Sequence, residues 1–322
     1  MIFSYPNLYV LCYFFIFFVN QSQILVRYGE IGLKSEYTRR QFTNQLKKNI
    51  LYACSKEGLA VSIVVKRGRL FVHTTEIAKT ITVLKKIFGI VSLSPVWESN
   101  SVLLELKDEV IRLLKTSLKP NTSFALRVRR SGVHEYTSQD VAVQIGQAVC
   151  DEFNCPVDLD QPDVEVFIEI RDEKSYVFLE IIKGVGGLPY ATQGKICCFV
   201  QDSFDILASW YLMKRGCSVQ FYITNESLAK QINTFLKKWY IPSSPLFLKE
   251  NLSKDQKDLR ELIKKNQYHA ICTGINCLKD KKKIIQKIAR FQNNFSLPIL
   301  SPLISMNESE CQRIAKEVGI NL

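Results

Sequence analysis

Apolar positions along this chain follow two rhythms, one close to every second residue and one spaced three and four apart. ILVRYG (24–29) is a short apolar run that predicts a strand. YTRRQFTNQLKKNILYAC (37–54) places Phe42, Leu46, Ile50 and Cys54 on one helical stripe, with Arg40 and Lys47 roughly opposite. VSIVVKRGRLFVHT then predicts two strands about a turn at Arg67-Gly68, IAKTITVLKKIFG a helix and VSLSPVW a strand. The resulting order, βαββαβ, is that of a ferredoxin-like α+β domain over 24–100.

A second unit covers 101–190. VLLELKDEVIRLLKTSL predicts a helix, FALRVRR a strand, TSQDVAVQIGQAVCDEF a helix, and VEVFIEIRD and SYVFLEII two strands. Thr137 or Ser138 with Asp140 marks a helix start. KGVGGLPYATQGK (183–195) carries four glycines and a proline, so it predicts a loop or linker. From 191 to 322, strands and helices alternate: ICCFV, 204–215, VQFYIT, 227–239, PLFLK, 253–266, YHAICTG, 279–291, LPILS and 307–318. Regular alternation with fully apolar strands predicts a doubly wound parallel sheet, Rossmann-like, with ligands expected beyond the strands' carboxyl ends. The fold class is thus α/β and multidomain.

Charge adds a partner class. The chain of 322 residues has a formal charge of +12. Residues 24–100 hold 13 Lys+Arg against 5 Asp+Glu, 101–195 hold 11 against 15, and 196–322 hold 19 against 11. Basic excess at both ends points to a polyanion, nucleic acid before membrane. Arg127, Arg129 and Arg130 cluster at a strand end, Lys34, Arg39 and Arg40 at a helix start, and Lys183 precedes the glycines of the linker. Guanidinium forks suit phosphate oxygens. Ten cysteines without a C-x2-C pair, and three histidines without ligand spacing, argue against zinc and for reduced core thiols. Residues 1–23 form an atypical apolar extension, too short in its apolar part for a confident span and lacking signal-peptide features. The expectation is a cytoplasmic protein with no membrane partner.

Several stretches, in order, resemble the tRNA 4-thiouridine synthetase family. They are VRYGEIGLKS (26–35), FGIVSLSPV (88–96), RRSGVHEYTSQDVAVQIGQAV (129–149), IIKGVGGLPYATQGK (181–195), MKRGC (213–217), CTG (272–274) and LPILSPLISMNESECQRIAKEVG (297–319). The resemblance implies a ferredoxin-like domain, a THUMP RNA-binding domain and a PP-loop ATPase domain. It further implies tRNA as partner, ATP with Mg2+ as cofactor, and a persulfide protein as sulfur donor, for ATP-dependent uridine thiolation. Monomer and dimer both stay open.

One motif departs from that pattern. The PP-loop signature Ser-Gly-Gly-x-Asp-Ser would fall on Gln201-Asp202-Ser203-Phe204-Asp205-Ile206. Asp205 is kept, the one catalytic candidate, but the glycines and the final hydroxyl are gone. A carboxylate of Asp202 at ~4 Å from a phosphate, at an effective dielectric of about 20, would repel it by about 4 kcal/mol. By resemblance, the nucleotide would meet Phe199, Val200, Ser203, Asp205, Ile223, Thr224 and Gly274. Lys281, Lys282 and Lys283 stand where the family has small polar residues and a glutamine. The family's cysteine loop would follow Leu322, while Cys311 falls inside the last helix. The expectation is a tRNA-binding member whose adenylation and sulfur transfer are impaired. The alternative is an active sulfurtransferase, completed by a partner that supplies the cysteine.

Overall fold

The computed structural model describes residues 23–66, 68–119, 122–248, 256–276, 285–286, 289 and 297–322. The expected helix at 279–291 and Lys281–Lys283 therefore lie outside the described residues, apart from 285, 286 and 289, as does the 1–22 extension. The chain divides into two units. One holds the residues up to Arg27, Leu59–Thr82 and Ser92–Lys183, and the other Tyr28–Gly58, Val83–Val91 and Gly184–Leu322.

The first region follows the expected βαββαβ order: β1 (Gln23–Tyr28), α1 (Glu36–Lys56), β2 (Ser62–Lys66), β3 (Arg69–His73), α2 (Ile77–Leu84) and β4 (Ile90–Asn100). A 3-10 turn, Glu30–Leu33, precedes α1, and Ser35 caps α1 by accepting from the Thr38 N–H. Next come α3 (Leu103–Leu114), β5 (Phe124–Ser131), α4 (Ser138–Phe153), β6 (Val164–Arg171), β7 (Lys174–Phe178) and the short β8 (Ile182–Lys183). Thr137 and Asp140 form the capping box of α4, each side chain accepting the other's backbone N–H. The sheet runs β2-β3-β1-β4-β7-β6-β5, with β8 beside β4. β5 and β6 are parallel, so α4 is their crossover. Leu106, Val110 and Leu114 of α3 and Val141, Ile145 and Val149 of α4 pack with Phe124, Val166, Ile168 and Ile170 of the sheet.

The other face of this sheet closes on itself. β3 and β6 are four steps apart, about 19 Å on a flat sheet. That is further than an arginine and a glutamate can jointly span, yet Arg69 Nε donates to Glu169 Oε1 over 3.1 Å. The sheet must therefore curl strongly, in the sense its natural twist allows. Leu25, Phe71, Val96, Tyr176 and Phe178 are buried inside the curl with Phe167 against them.

The second unit contains α1 together with the C-terminal chain. Asn49 of α1 donates to the Tyr190 carbonyl over 3.1 Å. Its core sheet is built from β9 (Lys195–Phe199), β10 (Ser218–Ile223), β11 (Leu246–Phe247), β12 (Ala270–Cys272) and β13 (Ile299–Leu300). All pairings are parallel, in the order β11-β10-β9-β12-β13. Its helices include α5 (Ser203–Lys214), α6 (Glu226–Lys238), α7 (Gln256–Lys265) and α8 (Glu308–Val318). β9 buries residues on both faces: Ile196 and Cys198 face one cluster, Cys197 the other. That two-sided burial explains its unbroken apolar run. Phe88 stacks on Trp239, and the Trp239 indole donates to the Val318 carbonyl over 3.0 Å. The stretch after Lys183 is pinned rather than free: the Gly184 and Gly186 N–H groups donate to Val91 and Ile90. At Gly187, φ is +80° and a Cβ would lie 2.0 Å from the Lys214 carbonyl oxygen, so only glycine fits.

Candidate functional site

The strand order reverses between β9 and β12, and their carboxyl ends meet the start of α5. In doubly wound sheets that crevice is the expected ligand position. The turn 200–202 leads into α5 with Asp202 as its N-cap, at φ −148° and ψ −178°. This is extended backbone, so the turn lacks the left-handed residue that makes a backbone nest for an anion.

The carboxylates fill the place themselves. Asp202 Oδ1 accepts from the N–H groups of Phe204 (2.9 Å) and Asp205 (3.4 Å). Asp205 Oδ2 accepts from the N–H groups of Gln201 (2.8 Å) and Asp202 (3.4 Å). Asp205 Oδ1 accepts from the Gly274 N–H over 2.6 Å. Five backbone donors around the helix start are thus spent on two side chains of the same chain. Free, they would form the usual anion seat of a helix N-terminus. Asp202 and Asp205 form a capping box, so the Asp202 carboxylate bonds back onto the start of the helix.

Asp205 is 7% exposed. Burial pushes its carboxyl pKa up, bonds from Gln201 and Gly274 oppose this, Asp202 adds to it, and the net direction is upward. The cavity beside it, lined by Phe199, Gln201, Asp202, Asp205, Cys272, Thr273 and Gly274 among others, measures about 20 Å³. That is room for about one water. Among the described residues no group of three or more His, Cys, Asp or Glu could hold a metal.

The remaining nucleotide candidates lie at or just past the carboxyl ends of the adjacent strands β9, β10 and β12, or at the start of α5, and differ in exposure. Val200 and Ile223 are buried in the core of the second unit. Phe199 lines the cavity and stacks on Tyr222. Thr224 is exposed just after β10. Ser203 turns to α6, where its hydroxyl exchanges hydrogen bonds with the Gln231 side chain. Gly274 stands against α5: a Cβ there would lie 2.3 Å from the Phe204 carbonyl carbon and 2.4 Å from the Asp205 nitrogen. Its glycine lets β12 and α5 approach closely enough for the Asp205 bond. Cys311 is fully buried, and burial pushes its thiol up, as for a core residue.

The basic candidates divide differently from their order along the chain. Lys34, Arg39 and Arg40 lie at the start of α1 in the second unit, Lys34 and Arg40 exposed. Lys183 is exposed on β8. On β5, side chains alternate, so Arg127 and Arg129 share one face and Arg130 takes the other. Arg127 pairs with Glu165 (2.8 Å) and donates to the Leu159 carbonyl, while Arg130 donates to the Gly132 carbonyl. Arg129 is exposed and has no hydrogen-bond or ion-pair partner among the described residues. It stands directly across from Glu169 in the β5–β6 register.

Around Glu169, the structure gathers arginines that no sequence pattern singled out. Arg27 reaches it over 3.5 Å, Arg69 over 3.1 Å, and Arg171 also pairs with it. Arg27 additionally donates to Ser94 and lies over the Phe178 ring at 4.6 Å. Burial pushes the Glu169 carboxyl up, but Arg69, Arg171 and Arg27 outweigh it and hold it below its ordinary value. Arg27 is pushed down to about 10, by burial first and, despite Glu169, by Arg69 and Arg129. One carboxylate thus faces several guanidinium groups. The only sequence signal was an arginine at a strand end in each of four segments.

Comparison with known proteins places these features. Residues 23–94 match the ThiI ferredoxin-like domain, and 101–180 the THUMP domain. A probable tRNA sulfurtransferase of Methanothermobacter thermautotrophicus is 31% identical over 337 residues, spanning 94% of this chain and 85% of that protein. Another, from Methanocaldococcus jannaschii, is 30% identical and spans 94% and 89%. The crystal structure of PH1313 from Pyrococcus horikoshii has a TM-score of 0.79 at 27% identity, covering 92% of this chain and 99% of that one. A 4-thiouridine synthetase in complex with RNA and bound ATP shares the fold, with a TM-score of 0.75 at 21% identity over 93% of this chain and 85% of that one. This chain therefore belongs to the tRNA sulfurtransferase family, in its ThiI-like form with a THUMP domain.

Proposed function

We propose that this protein binds tRNA but does not itself form the ATP-dependent adenylate at the β9–α5 turn. One observation carries the reading: Asp202 and Asp205 accept five backbone N–H groups where a phosphate would need them. Displacing these carboxylates would forfeit charge-assisted bonds worth about 1.5–3 kcal/mol each. The phosphate would then face two acidic side chains. The cavity of about 20 Å³ agrees with this. Relatives named as probable tRNA sulfurtransferases, and the RNA complex of a protein with the same fold, support tRNA as the partner. Basic excess supports it independently.

Two measurements test the reading. ATP–pyrophosphate exchange with tRNA present should show no turnover above background; exchange at an enzyme's rate overturns it. Calorimetry should find no ATP binding at millimolar concentration in the parent, and the parent compared with Asp202→Gly shows whether the cap closes the seat.

A second reading, an active sulfurtransferase, is favoured by the 94% coverage against relatives carrying that name. Thionucleoside analysis of tRNA from cells with and without this gene separates the two. Loss of 4-thiouridine on deletion, in cells with no other member of the family, supports the enzyme.

A further inference from the structure

We propose that Arg27, Arg69, Arg129 and Arg171, gathered around Glu169 within the first unit, grip the backbone phosphates of bound RNA, with Glu169 as their positioning residue. The inference rests on the RNA-binding reading above and extends it from Arg129, which the sequence indicated, to Arg27, Arg69 and Arg171, which no basic cluster indicated.

The argument starts from charge and geometry. Arg27, Arg69 and Arg171 all pair with one carboxylate, and exposed Arg129 stands opposite it in the register. Glu169 is only 7% exposed, while the arginine side chains paired with it keep 14–24%. Solvent therefore reaches these arginine side chains more than the carboxylate that holds them. Burial first, and then Arg69 and Arg129, push Arg27 down, so an anion arriving among these cations would be met favourably.

The chemistry fits a phosphate diester. Guanidinium forks bind its oxygens two at a time, and several planar forks around one point suit an anion with tetrahedral oxygens. Ordering free arginine side chains costs rotamer entropy. Glu169 removes much of that cost beforehand by holding three of them. Glu169 thus acts through the arginines rather than on RNA itself. Curling of the sheet is what makes this arrangement available, since Arg69 and Glu169 sit on strands four steps apart.

The test uses the full chain and tRNA, with affinity followed over a salt series and the thermal midpoint recorded for each variant. Arg129→Ala touches an exposed side chain without a bonded partner, so the fold should survive. It should weaken binding about tenfold, in line with one lost charged hydrogen-bonding group. It should also flatten the slope of log affinity against log salt by about 1. Glu169→Gln raises the net charge by one, yet it should weaken tRNA binding about fivefold, because one amide oxygen cannot hold three forks. A simple counter-charge would predict the opposite, tighter binding. Unchanged affinity and slope in Arg129→Ala overturn the grip, and tighter binding by Glu169→Gln overturns the positioning role. Should Glu169→Gln fail to fold, the Arg129→Ala result decides the proposal. If tRNA does not bind even the unaltered protein, the RNA-binding reading itself falls, which is a distinguishable outcome.

Discussion

Asp205 shows how much one buried side chain can hold in place. It accepts three backbone N–H groups, from Gln201, Asp202 and Gly274, while 7% exposed. In Asp205→Asn the amide nitrogen would face a backbone donor, so at neutral pH the variant should lose about 1–3 kcal/mol of stability. The sign of the pH effect follows from the raised pKa. A carboxyl that holds its proton more tightly when folded contributes most below the ordinary aspartate value, about 4. That contribution is lost as pH rises through the raised value. The stability advantage of the parent over Asp205→Asn should accordingly shrink between pH 4 and neutrality. Denaturant titrations of both proteins across that range check it, and an advantage that grows with pH would contradict the burial argument. Asp205 was legible as a kept position of a known motif, whereas its partners were not, because hydrogen bonding depends on where the neighbouring loop arrives.

Elements behave as their sequence periods dictate, and their ends carry the surprises. α5 begins at an aspartate capping box, which is good helix chemistry and poor phosphate chemistry. Its start is also where the loop after β12 makes its close approach. Gly274→Ala would place a Cβ 2.3 Å from the Phe204 backbone, which cannot yield as a flexible side chain would. We expect a loss of about 1–3 kcal/mol from this overpacking, read as a lowered denaturation midpoint with an unchanged slope. On β5, the three arginines of FALRVRR look like one cluster in the sequence. The two-residue period of a strand splits them between faces, and the register then brings Arg129, not Arg130, beside Glu169.

At the scale of the whole molecule, the curled sheet of the first unit depends on a buried charge. Breaking a buried ionic cluster by removing its shared partner leaves uncompensated cations. Glu169→Ala should therefore cost about 3–5 kcal/mol, more than an exposed pair would. Because its carboxyl is held below the ordinary value, this contribution is present above about pH 4.3 and fades as pH falls through the lowered value. Thermal melts of the parent and Glu169→Ala should converge in acid; a difference independent of pH would place its cost in packing instead. Among the described residues no helix is long and apolar enough to cross a membrane.

By itself the sequence determined most of the described elements, their βαββαβ and βα alternation, the parallel second sheet, the family, and the loss of glycines at Asp202 and Ser203. These are local properties: periodicity, capping residues and turn chemistry act within a few positions. Only the tertiary structure decided that Asp202 and Asp205 accept five backbone N–H groups, that Val200 and Ile223 belong to a core, and that Arg27, Arg69 and Arg171 meet at Glu169. Arg27 and Glu169, for example, lie 142 positions apart along the chain. Sheet register and curl bring them within a hydrogen bond of one another, and neither is written in any one segment.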